Sequence, residues 1–183
     1  MKFLSDIRLL LLALWLGAAV FFIAVAQSSF AVLPQRELAG AVVNRTLAIL
    51  NYAGLGISVV LLFSSILGSA LVSKFWLWTE RFLLLIVGAA CAVGQFVVGL
   101  MLMSVRAQIG RPIDEVALDD PLRIQFNTLH QYSEWLHLTA MVAALIVFFI
   151  IANRKFSLTS KISKDLGETT NNPFDFDKPF SKS

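Results

Sequence analysis

The chain has 183 residues, of which 57% are hydrophobic and 15% are charged, and its mean hydropathy is +0.76. This composition excludes an ordinary soluble domain and leaves no room for a separate soluble catalytic domain. The isoelectric point near 9.2 arises from Lys and Arg residues that flank apolar runs, so we expect no nucleic-acid partner.

Four apolar runs are each close to the roughly 20 residues that cross a bilayer. We predict transmembrane spans over residues 9–30, 52–72, 82–104 and 132–152. The expected fold is all-α: an integral membrane four-helix bundle over residues 1–155, up-down antiparallel and in contact with the lipid bilayer. Residues 156–183 are polar without apolar periodicity, which predicts a disordered cytoplasmic tail.

The first run supports two interpretations. A basic start, an apolar middle and the motif Ala24-Val25-Ala26 are typical of a cleaved signal peptide. Small residues that share one helical face, and continuation of the apolar run to Pro34, favour a retained transmembrane helix. We expect the retained helix.

The second helix is predicted to run from about Glu37 to Val72, longer than a bilayer requires. Polar residues recur on it every seven positions, and the third helix adds a glutamine on a face of small residues. These residues predict interhelical hydrogen bonds that pack the bundle, and they are Asn44, Asn51, Ser58, Ser65 and Gln95.

Two connections of different character flank the third helix. Residues 73–81 are expected to form a short interfacial connection, because it contains two tryptophans beside Lys and Arg. Residues 107–120 form the one long polar loop, with Gly110 and Pro112 as breakers and four acidic residues. Asp119 or Asp120 is expected to cap the fourth helix, which has Pro121 in its first turn.

The fourth helix has one polar line. At 100° per residue, five side chains fall within about 40° of a common line: Arg123, Asn127, His130, Glu134 and His137. Glu134 is expected to be the sole carboxylate inside a span, and a buried charge requires a partner. Arg106, on the small-residue face of the third helix, is the predicted partner. These six residues form the candidate binding site.

Catalytic and cofactor motifs are missing from the sequence. It contains no Gly-rich phosphate loop, no HExxH and no GxSxG, so we expect no enzyme. His130, Glu134 and His137 could offer ligands to a metal, although their spacing strains a shared site. Both histidines lie on one helix, about 10 Å apart, so they cannot ligate both faces of one haem. No cofactor is expected.

The distribution of basic residues predicts the orientation. The N-terminus, the second connection and the early tail hold eight Lys or Arg residues, whereas the first and third connections hold five. Because basic residues favour the cytoplasmic side, we expect both termini in the cytoplasm, Lys74 inside and Asp114 outside. The expected location is a cell membrane, specifically a bacterial inner membrane.

The pattern Leu122-Arg123-x-x-Phe126-x-x-x-His130-x-x-Ser133 resembles the corresponding segment of the transmembrane-protein-205-like domain family. Trp15, Gly17 and Phe21-Phe22, together with Ala39-Gly40, are also similar to that family. The resemblance covers about residues 5–152. It implies a four-helix integral membrane domain without an established activity, and an uncleaved first helix.

Two functions are compatible with these features. The first is a small solute- or ion-handling unit that uses the polar site on the fourth helix. The second is a structural or accessory subunit, in a homo-oligomer or a larger membrane complex, whose polar residues serve only helix packing. An open polar cavity that reaches His130 and His137 favours the first, and a closed interior favours the second.

Overall fold

The computed structural model describes residues 2–67 and 74–170. Helix α1 spans Lys2–Val32 and helix α2 spans Arg36–Leu67. Helix α3 spans Lys74–Val93 and continues through a π-helical turn, Gly94–Val98, into α4, Gly99–Ile109. A 3₁₀ turn, Ile113–Glu115, precedes α5, which spans Pro121–Thr170.

The described residues form an all-α four-helix bundle in which every span is long and apolar enough to cross a membrane. The third span combines α3, the π turn and α4 over Lys74–Ile109. Helix α1 packs against α2 and α5, and α3 packs against the same two helices, so consecutive spans are neighbours. The predicted fold class is confirmed.

The helix boundaries follow from local residues. Pro34 and its neighbours separate α1 from α2, because proline cannot continue a helix. Gly110 ends α4 with a left-handed backbone conformation at φ 64°, and its N–H donates to the carbonyl of Arg106. Asp120 accepts a hydrogen bond from the backbone N–H of Leu122 at 2.8 Å and so caps α5, as predicted.

Two boundaries differ from the sequence expectation. Helix α3 already begins at Lys74, so the tryptophans that we assigned to a connection are helical. Helix α5 continues to Thr170, whereas we expected a disordered tail from residue 156; no proline interrupts the chain there before Pro173. Residues 68–73 and 171–183 lie outside the described part of the chain, as does the predicted end of the second span.

Side chains from α1, α2 and α3 pack closely together in the core. Trp15 is buried, and its indole Nε1 donates to the carbonyl of Leu50 at 3.0 Å. A Cβ at Gly54 would lie 2.7 Å from the Cys91 sulfur and 2.8 Å from the Trp15 nitrogen. Glycine is therefore needed here, because α2 approaches both neighbouring side chains closely.

The bundle has two ends, which we call the loop end and the N-terminal end. The loop end is where α1 meets α2 and where residues 110–120 join α4 to α5. The N-terminal end is the opposite one, with Arg8 and Lys74. Between the ends, large apolar side chains such as Phe21, Phe63 and Phe82 point outward and are exposed, as expected of a surface that contacts lipid.

Candidate functional site

A cavity of about 400 Å³ opens at the loop end between α2, α4 and α5. Its polar lining comes from three parts of the chain: the first turns of α2, the end of α4 with the loop after it, and α5. These polar and charged lining residues are Arg36, Glu37, Asn44, Arg106, Arg111, Asp114, His130 and Ser133. The volume falls within the range of small-molecule sites.

Two ion pairs form part of the cavity wall. Arg106 on α4 donates to Glu37 on α2 at 3.4 Å, and Arg36 donates to Asp114 in the loop at 3.1 Å. The four side chains are between 41% and 70% exposed, so both pairs remain accessible to solvent and to a solute. Exposed pairs of this kind contribute little to stability and can exchange partners at low cost.

The helices and the loop position these groups by local contacts. Gly40 offers no side chain towards Arg106, whose guanidinium would lie 3.8 Å from a Cβ there. Val116 is buried, and its carbonyl accepts a hydrogen bond from Arg123. Arg123 thus anchors the 110–120 loop to α5, a positioning role that the sequence pattern did not indicate.

The polar line of α5 is divided among separate environments. His130 lines both the cavity and a shallow groove on the outer surface of α5, whereas Asn127 and Glu134 line only that groove. His137 faces α1 instead, where its ring packs edge-on against Phe22 with 5.5 Å between centroids. The imidazole Nε2 of His137 is buried and has no hydrogen-bond partner among the described residues.

The predicted Arg106–Glu134 pair is wrong. Arg106 pairs with Glu37, and Glu134 is exposed and faces His130 at 3.5 Å, one turn away on its own helix. Arg106 therefore faces α2, whereas Glu134 lies at the outer surface of α5.

The predicted metal ligands do not converge. Among the described residues, no group of three His, Cys, Asp or Glu side chains could hold a metal ion. His130 and Glu134 share a surface, but His137 packs against Phe22 of α1 instead.

A second charged cluster at the N-terminal end escaped the sequence analysis. Glu80 on α3 is fully buried and pairs with Arg8 on α1, which is 14% exposed. The expectation that Glu134 is the sole carboxylate within a span is therefore wrong. The sequence did contain one indication of this pair. Arg8 and Glu80 both lie next to apolar runs, and the predicted orientation puts them on the same side of the membrane.

The adjacent Arg81 contacts α2 near the end of its described range. Its guanidinium donates to the Ser65 carbonyl at 2.9 Å and to the Ser65 hydroxyl at 3.3 Å. Arg8, Glu80 and Arg81 thus connect three helices at one end of the bundle.

The polar stripe of α2 lies mainly against α3. Asn51, Ser58 and Ser65 are buried, whereas Asn44 is exposed at the cavity. The Ser58 hydroxyl would lie 2.8 Å from a Cβ at Gly88, and the Asn51 amide 3.4 Å from one at Gly94. The Ser58 hydroxyl donates to the Leu55 carbonyl within its own helix. Ser58 therefore contributes close packing against α3 and not an interhelical hydrogen bond. Gln95 is half-buried in the π turn.

Together, the four apolar spans and the charged groups at both ends define a multi-pass, all-α integral membrane protein with a polar cavity at one end. The chain belongs to the family described as "Domain of unknown function (DUF4149)", whose model matches residues 10–111. No curated protein and no solved structure matches the chain. The matched residues end before α5, so they provide no link to the transmembrane-protein-205-like pattern on that helix.

Proposed function

We propose that this protein binds a small solute in the loop-end cavity and handles it at the membrane surface. The observation that carries the proposal is the lining of the cavity, where charged side chains from α2, α4 and the 110–120 loop converge beside apolar ones. Concave sites with a few convergent polar groups on apolar walls are typical of ligand sites. The residues proposed to contact the solute are Arg36, Glu37, Arg106, Arg111 and His130.

The competing proposal is an accessory subunit whose polar residues serve packing alone. The burial of Asn51, Ser58 and Ser65 against α3 favours that role for these three residues. It does not account for the cavity charges, because groups that only pack helices have no need to surround an open volume. Assembly into a homo-oligomer or a larger complex stays a prediction.

The side of the membrane on which the cavity opens depends on the orientation of the chain. We place both termini in the cytoplasm, in a bacterial inner membrane, so that the loop end faces outward. The excess of Lys and Arg near the N-terminal end supports this orientation. The α5 pattern around Arg123 and His130 also supports a relation to the transmembrane-protein-205-like family.

Thermal unfolding of the full chain in dodecyl maltoside, with and without added probes, tests the binding proposal. The probes are dodecyl phosphate, dodecyltrimethylammonium and inorganic phosphate, which represent anionic, cationic and free-ion ligands. A ligand of the folded state raises the unfolding midpoint. At least one probe should raise it for the unaltered chain.

Two glycines on α2 provide a matched pair of variants. Gly40→Phe fills the cavity beneath Arg106, whereas Gly56→Phe places the same ring where nothing lies within 4 Å. The probe effect should disappear in the Gly40→Phe variant and persist in the Gly56→Phe variant. Equal probe effects in both variants, or no effect of any probe on the unaltered chain, would contradict binding in this cavity.

A further inference from the structure

The charges around the loop-end cavity select one sign of ligand. Three arginines line it, Arg36, Arg106 and Arg111, against two carboxylates, Glu37 and Asp114. Each carboxylate already pairs with an arginine, and among the described residues no carboxylate pairs with Arg111. A cation in this cavity would meet an excess of positive charge, whereas an anion would meet an arginine with free donors.

The remaining wall of the cavity is apolar. It contains side chains from the end of α1, from α2, from α4 and from α5: Phe30, Val43, Leu47, Leu102, Ile109 and Phe126. Contact with such a wall is favourable for a hydrocarbon chain and unfavourable for a hydrated ion. The ligand that complements both parts therefore has one anionic group and an apolar body.

The depth of the cavity agrees with such a ligand. The apolar run of the third span ends at Met103, and Arg106 lies about 4.5 Å beyond it along the helix. Glu80, at the opposite end of the same span, is about 39 Å from Arg106, against a hydrocarbon thickness of about 30 Å. The exposed Tyr132 and Trp135 on α5 also mark a membrane–water interface near the cavity.

We infer that the cavity takes an anionic lipid from the adjacent leaflet, with its phosphate or carboxylate head on Arg106 and Arg111 and the start of its chain along Leu102 and Phe126. Guanidinium groups bind such heads through paired, charge-assisted hydrogen bonds. A volume of about 400 Å³ holds a head and the first part of a chain, and the rest of the chain would extend past Met103, which lines the cavity and is exposed on α4. This inference rests on the proposed binding function.

The test measures protection of a cysteine in the cavity from a maleimide. The full chain carries Leu102→Cys in a Cys91→Ala background and is kept in dodecyl maltoside, a neutral amphiphile. Dodecyl phosphate should slow the modification of position 102, whereas dodecyltrimethylammonium and inorganic phosphate should not. Protection by the cationic probe alone overturns the inference but leaves the binding function intact.

If inorganic phosphate protects position 102 as well as dodecyl phosphate does, the inference that the ligand is a lipid is also overturned, because the apolar chain would then contribute nothing to binding. If no probe protects position 102 and none raises the unfolding midpoint, the binding function itself fails.

Arginine variants assign the head to its site. Arg106→Gln and Arg111→Gln should each weaken protection by dodecyl phosphate about tenfold or more, as expected for loss of a charge-assisted contact. The control is Arg45→Gln, an exposed arginine on α2 that does not line the cavity, and it should leave protection unchanged. Equal loss in all three variants would show attraction to the general positive charge and overturn the assigned site.

Discussion

Arg8 on α1 and Glu80 on α3 form an ion pair across the diagonal of the bundle, and the Glu80 side chain is fully buried. The two helices are not sequence neighbours, so this pair connects spans that the up-and-down order keeps on opposite corners. A buried charge that loses its partner retains its desolvation cost, which makes such a pair sensitive to single substitutions.

We expect Arg8→Met and Glu80→Met each to lower the free energy of unfolding by about 3–5 kcal/mol, because each leaves the opposite charge without this partner. The double variant should recover most of the loss, since two apolar side chains of similar length need no counter-charge. Unfolding by sodium dodecyl sulfate, monitored by circular dichroism, measures the free energy of unfolding of the two single variants and the double variant. Arg45→Met is the control for loss of an exposed arginine. A double variant no more stable than either single variant would contradict the coupling.

Gly54 gives a second prediction, which concerns packing. Gly54→Ala should destabilise the bundle by about 1–3 kcal/mol, because its Cβ would overlap Cys91 and Trp15. Gly56→Ala, two residues further along α2, has open space around it and should be neutral or stabilising by up to about 1 kcal/mol. The difference between the two variants in the same unfolding assay separates the steric effect from helix propensity. Equal stability of the two would contradict the close approach.

The sequence was sufficient for the fold class because each span has the length and apolar composition that a bilayer requires. The same rule misplaced the start of the third span. Trp76 and Trp78 were taken to mark an interfacial connection, yet such residues also occur within the first turns of a membrane helix.

The pairing of charges was less predictable. Helical periodicity showed that Arg106 and Glu134 lie on polar faces, but it does not determine the height and rotation of one helix against the next. In the structure Arg106 faces α2 and finds Glu37. The burial of Glu80 was not predicted for the same reason, because it depends on how α1 packs against α3.

A third prediction concerns orientation. In a Cys91→Ala background, Leu118→Cys should react with a membrane-impermeant maleimide in intact cells, and Lys74→Cys should react only after lysis. Both side chains are exposed, so a difference in reaction reports the side of the membrane rather than burial. The physical reason is the excess of basic residues near Lys74. Modification of position 74 alone in intact cells would invert the topology and place the cavity in the cytoplasm.

The last prediction contrasts Glu134 with Glu80. The Glu134 side chain is 69% exposed and that of His130 is 51% exposed, and the two lie 3.5 Å apart at the surface of α5. An exposed contact of this spacing contributes about 0.5 kcal/mol or less, since water competes for both side chains. Glu134→Gln should therefore leave the unfolding free energy almost unchanged, whereas Glu80→Gln should lower it clearly.

The same unfolding assay compares Glu134→Gln with Glu80→Gln. The double variant Glu134→Gln with Arg106→Gln tests whether these two positions are energetically coupled. Because Arg106 pairs with Glu37, the effects of the Arg106 and Glu134 substitutions should add. A large loss on Glu134→Gln, rescued by Arg106→Gln, would restore the originally predicted pair and contradict the arrangement of charges at the loop end.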